Sequence, residues 1–113
     1  MMINIDIICD NLEELSSIEL QERLWLGKND NLMSSYTEAV CGLFDDGRIS
    51  LAIEKGYLQK KFSANLCCKV NKLQCLVDKI DDGMEVNAII DHPRMIEIRK
   101  LSKELLALFK DEV

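Results

Sequence analysis

Apolar positions in this chain step mostly by three and four residues, the spacing of a helix face. The N-terminus carries both periods: Ile3, Ile5 and Ile7 alternate with Asn4 and Asp6 like a strand, whereas Ile8, Leu12 and Leu15 continue at helical spacing. This predicts a helix over residues 3–15, with a short N-terminal strand as the alternative. Ser16 and Glu19 match an S-x-x-E capping box, so a second helix is expected to run from there to Leu26 and to close at Gly27. Lys28 to Met33 reads as a loop. Ser34 or Ser35 then caps a third helix through Tyr36, Val40, Leu43 and Phe44, ended by Asp45-Asp46-Gly47.

A short helix over Ile49–Lys55 stops at Gly56, and Tyr57 to Phe62 reads as a linker. Ser63 caps the clearest helix. Leu66, Val70, Leu73, Val77 and Ile80 line one of its faces, with Cys67 and Leu76 on the flank, until Asp81-Asp82-Gly83 ends it. A turn through Val86, Ile89 and Ile90 leads to Asp91-His92-Pro93, where Asp91 can cap and Pro93 fits a first helical turn. The last helix turns Met95, Ile98, Leu101, Leu105 and Leu108 inward, and Arg94, Arg99, Lys100, Lys103 and Lys110 outward. The expected fold is all-α, or mostly α: a compact bundle of about five to six helices forming one domain over residues 1–113.

Composition agrees. Sixteen Leu, twelve Ile, five Val and three Phe make up nearly a third of the chain, enough for a core, while one Pro and five Gly leave little material for the frequent turns of a small β-sandwich. The longest apolar run, Ala39 to Phe44, is far below the roughly 20 residues of a membrane span. No basic stretch precedes the N-terminal isoleucines, so a secretory signal is not expected and the cytosol is the expected compartment. The cysteines at 9, 41, 67, 68 and 75 are odd in number and form no C-x-x-C, and are read as reduced, mostly buried thiols.

Charge changes the picture more. The net charge is −6, but residues 1–46 hold ten acids against two bases and residues 47–113 hold ten acids against twelve bases, so the first two fifths alone carry −8. That imbalance speaks against direct nucleic-acid binding and for a basic partner. Signatures of chemistry are missing: there is no phosphate-cradling Gly-rich loop, H-E-x-x-H, G-x-S-x-G or EF-hand spacing. The pairs Glu19 with Glu22 and Asp45 with Asp46 could offer oxygens to Mg²⁺, but such spacings are ordinary on solvated helix faces. His92 has no His or Cys nearby in sequence to build a metal or acid–base site. No metal, cofactor or catalytic residue is therefore assigned. Trp25, between two leucines at a helix end, reads first as a packing residue.

Three segments carry a resemblance: Leu24-Trp25-Leu26-Gly27; Ser34-Ser35-Tyr36-Thr37-Glu38 running into Cys41-Gly42-Leu43-Phe44-Asp45-Asp46; and Ile90-Asp91-His92-Pro93 with Ile96 and Arg99. Over about half of the chain they resemble the small helical immunity proteins of bacterial contact-dependent growth inhibition and related polymorphic toxin systems. The resemblance implies a cytosolic, non-enzymatic protein that binds and blocks the C-terminal toxin domain of a large secreted protein, often a nuclease acting on tRNA or DNA. Such a nuclease presents a basic cleft, which an acidic inhibitor face would match. The expected contact residues, chosen by charge, are Glu19, Glu22, Asp30, Glu38, Asp45 and Asp46, with Trp25 and Tyr36 as aromatic anchors at their edge. A different class, a helical scaffold or regulatory protein acting as a homodimer or through a partner helix, would use the apolar stripes instead.

Overall fold

The computed structural model of the protein describes residues 3–26 and 34–112. Its order is α1 (Ile5–Ser16), α2 (Ile18–Trp25), α3 (Tyr36–Cys41), a π-helical turn (Gly42–Asp46), α4 (Ile49–Glu54), α5 (Tyr57–Lys61), α6 (Ala64–Asp78), α7 (Val86–Ile90) and α8 (Pro93–Glu112). The fold is all-α, and among the described residues there is no strand, so the N-terminal alternation does not pair. The Asn4 side chain instead accepts the Ile7 amide and opens α1. The expected closure at Gly27 and the loop at 28–33 lie outside the described residues.

The long C-terminal helix α8 is the spine, packed against α1 on one side and α6 on the other. The α6 stripe is buried as its spacing predicts, at Leu66, Val70, Leu73, Val77 and Ile80. Each such side chain withdrawn from water contributes about 1.5–3 kcal/mol. On α8, Met95, Ile98, Leu101 and Leu105 are buried as expected, but the next inward position is Phe109, with Leu108 only half-buried. The Phe109 ring meets Phe62 edge to face, with centroids 5.2 Å apart. The radius of gyration of 13.7 Å matches the roughly 13 Å expected for a compact chain of this length.

Several local expectations are corrected. The cap of α2 is Ser17, whose hydroxyl accepts the Leu20 amide, while Ser16 ends α1 and donates to the Glu13 carbonyl, so no reciprocal box with Glu19 forms. Residues 57–61, read as linker, are helical, and a short helix replaces the turn at 86–90, which is why eight α-helices stand among the described residues where five or six were expected. At the start of α8 it is His92, not Asp91, that caps: its Nδ1 accepts the Arg94 amide at 3.0 Å. The five thiols are free, but Cys41, Cys68 and Cys75 are exposed and Cys9 and Cys67 only half-buried, because their positions fall on helix flanks rather than on the stripes.

The π turn has a steric cause. A side chain at Gly42 would sit 2.6 Å from the Asn11 amide, and one at Gly47 would sit 2.5 Å from the Leu43 carbonyl and 2.6 Å from Ile8. The two glycines let the widened turn lie directly on α1, where the Gly47 carbonyl accepts the Asn4 amide and the Gly47 amide reaches back to Gly42. This pins the α3 unit to the first turn of α1 and leaves Asp45 and Asp46 on the outside.

Candidate functional site

The eight expected contact residues separate into three groups. Trp25 and Tyr36 are buried, each 6% exposed, and their rings meet edge to face at 5.9 Å. Trp25 Nε1 donates to the Glu14 carboxylate at 2.8 Å, which also accepts the Ser34 hydroxyl, and the Tyr36 hydroxyl donates to the Val77 carbonyl at 2.8 Å. Tyr36 is thus corrected from an edge anchor to a core residue, and Trp25 is the packing residue it was first read as rather than an anchor. Each places its polar end on a hydrogen-bond partner, buried for Tyr36 and half-buried for Trp25. Asp30 lies outside the described residues.

The second group is Glu19 and Glu22 on α2. The Glu19 carboxylate is held below its ordinary pKa by hydrogen bonding to its own backbone amide, then by the Ser17 hydroxyl, with Lys103 of α8 adding attraction. Arg99 of α8 is half-buried rather than outward: Nε donates to Gln21 Oε1 at 3.0 Å and its guanidinium also donates to the Ile90 carbonyl. Burial lowers its pKa, and the charges of Asp91 and Glu22 act in the opposite direction. The acids of α2 therefore face the bases of α8. Gln21, fully buried, completes the junction by donating to the carbonyls of Glu14 and Leu15.

The third group, Glu38, Asp45 and Asp46, is exposed on α3 and the π turn. Beside that strip, Thr37 and Cys41 form one wall of a pocket of about 280 Å³ whose other wall is the end of α6 and the turn after it. Val40, Val77 and Ile80 contribute apolar surface, and Asp78, Asp81 and Asp82 contribute carboxylates. Thr37 donates to Asp82 across the pocket at 3.5 Å, and Asp81 accepts the Gly83 amide at 2.9 Å. Burial, reinforced by the charges of Asp78 and Asp82, pushes the Tyr36 phenol above its ordinary range. Among the described residues, no Lys or Arg forms an ion pair with Glu38, Asp45, Asp46, Asp78, Asp81 or Asp82.

Asp78, Asp81 and Asp82 are absent from the sequence-based candidates. Read along the chain they are helix-ending residues in the half with net positive charge, and the signal available, three carboxylates within five positions, says nothing about what docks beside them. A contrasting groove of about 440 Å³ lies between α6 and α8, with Lys69, Lys72 and Lys100 beside Glu97 and Glu104. There Lys69 and Glu104 pair at 3.0 Å. Among the described residues no group of three His, Cys, Asp or Glu side chains is placed to hold a metal ion, and no helix is long and apolar enough to cross a membrane.

No family model, curated protein or solved structure matches the chain.

Proposed function

We propose that this protein binds a basic protein partner through the α3 face, and that it serves as an immunity protein neutralising a toxin nuclease domain by covering its active site. One observation carries the proposal: Glu38, Asp45 and Asp46 on α3 and the π turn, and Asp78, Asp81 and Asp82 around the pocket that Thr37 and Cys41 of α3 also line, are all exposed, and none of the six is in an ion pair among the described residues. Carboxylates without counter-ions repel one another, and a cationic surface relieves that repulsion while steering encounter. The resemblance of the sequence to immunity proteins supplies the class of partner. No catalysis by this chain is part of the reading, and the cytosol is where such an inhibitor would act.

The test is to read the gene directly upstream and, where it encodes the end of a very large secreted protein, to co-express that C-terminal domain with this protein. Rescue of growth by this protein, together with a complex whose association rate falls steeply with salt, is expected; growth arrest despite folded protein overturns the reading. The scaffold alternative has less support, because the large apolar side chains exposed among the described residues, Ile18, Leu51 and Ile96, sit on three different helices. A mass of twice 12.9 kDa in sedimentation would favour it.

A further inference from the structure

We propose that the pocket between α3 and the α6–α7 turn is a socket for a single Lys or Arg side chain presented by the basic partner. The inference rests on the reading above and specifies how that face would recognise its partner.

A long cationic side chain has two unlike parts, an aliphatic stem and a charged head. The pocket has two matching parts. Half-buried Val40, with the edges of the core residues Val77 and Ile80, offers an apolar surface for the stem, and Asp78, Asp81 and Asp82 stand where the head would arrive. A volume of about 280 Å³ accommodates one such chain rather than a helix or a drug-sized ligand. Charge complementarity selects among occupants. An anionic or purely apolar group would leave the carboxylates facing each other unrelieved, and a small bare metal ion would need oxygens converging on one point, which the described residues do not supply. A guanidinium or ammonium on a flexible stem needs no single convergence point, since its several donors reach carboxylates spread around it. The walls are also held in place: the Tyr36 hydroxyl ties α3 to the Val77 carbonyl, and Thr37 reaches Asp82 across the pocket. The fixed shape lowers the ordering cost of inserting a side chain.

The test uses the whole ¹⁵N-labelled protein titrated with N-acetylarginine amide and N-acetyllysine amide, with N-acetylnorleucine amide as the uncharged control. Saturable amide shifts are expected at Thr37, Val40, Cys41, Asp81 and Asp82 with the cationic probes and not with norleucine. Replacing both Asp78 and Asp82 by Asn should weaken binding roughly threefold to tenfold, with an unchanged far-UV circular dichroism spectrum to confirm the fold. Non-saturating shifts spread equally over remote carboxylates such as Glu13 and Glu54 overturn the socket and leave the acidic face intact. Pocket shifts that depend on protein concentration without any probe also overturn it, since a second copy would then be the occupant. Failure of the immunity reading would show separately, as loss of rescue with these shifts unaffected.

Discussion

Two acidic regions of this protein look alike in sequence and differ in what surrounds them. On α2, Glu19 and Glu22 lie within electrostatic reach of Lys103 and Arg99 of α8, so their charge is partly offset by the molecule itself. On α3 and the π turn, Glu38, Asp45 and Asp46 are exposed, as are Asp78, Asp81 and Asp82 around the pocket beside α3, and these carboxylates have no ion-pair partner among the described residues. Formal charge along a chain is therefore a poor guide to surface potential. What matters is which bases the fold brings within a screening length, and here α8 delivers them to α2 and not to α3.

The largest expected effect breaks the α2 side of the comparison. Gln21→Ala removes a fully buried amide that joins α1, α2 and α8, leaving the Arg99 guanidinium and two backbone carbonyls short of partners. A loss of about 3 kcal/mol is expected in urea unfolding; a midpoint within error of the parent would show that the junction does not hold α2 to α8.

Charge reversal separates the two regions directly. Asp45→Lys with Asp46→Lys should slow association with the proposed basic partner about tenfold at low salt, whereas Glu19→Gln with Glu22→Gln should change it less than about twofold. Stopped-flow rates at two ionic strengths decide, and equal effects from the two pairs would erase the distinction.

Smaller is Tyr36→Phe, which removes the hydroxyl bonded to the Val77 carbonyl beside the pocket but leaves every carboxylate in place. Stability should fall by about 1 kcal/mol while the association rate is kept. If the rate falls as much as the stability, the wall's position and not its charge governs encounter.

The smallest effect concerns the groove on the other side of α6. The Glu104 pKa is lowered, chiefly by its hydrogen bond from Lys69, with the charges of Lys69, Lys100 and Lys72 helping. A carboxylate depressed in the folded state stabilises above its unfolded pKa, and that contribution is lost as pH falls through the folded value. Glu104→Gln should therefore flatten the acid limb of the melting-temperature profile below the ordinary Glu range and cost at most about 1 kcal/mol at neutral pH, as expected of an exposed pair. An unaltered acid limb would show the pair to be inert.

Much of the frame was legible in the chain. The stripe from Leu66 to Ile80 and the inward face of α8 up to Leu105 follow from a repeat that each helix imposes on itself. The caps at Ser35 and Ser63 were equally local. Legibility failed where a choice depended on a neighbour. Arg99 reads as one more outward base until Gln21 and the Ile90 carbonyl appear beside it, and Tyr36 reads as an edge anchor until its hydroxyl finds the Val77 carbonyl, whereas the first reading of Trp25, as a packing residue, holds. The helical character of residues 57–61 was missed because five residues are too few to show a period.

By itself, then, the sequence determined an all-helical chain with buried stripes on its longest helices and an excess of acid in its first part, because periodicity, capping and composition act over a few residues. Only the tertiary structure decided which acids have bases within electrostatic reach and which stand without an ion pair among the described residues. The two walls of the pocket are joined by hydrogen bonds from Tyr36 to Val77 and from Thr37 to Asp82, pairs 41 and 45 positions apart. Electrostatic energy depends on distance in space, and no local pattern in the chain encodes that.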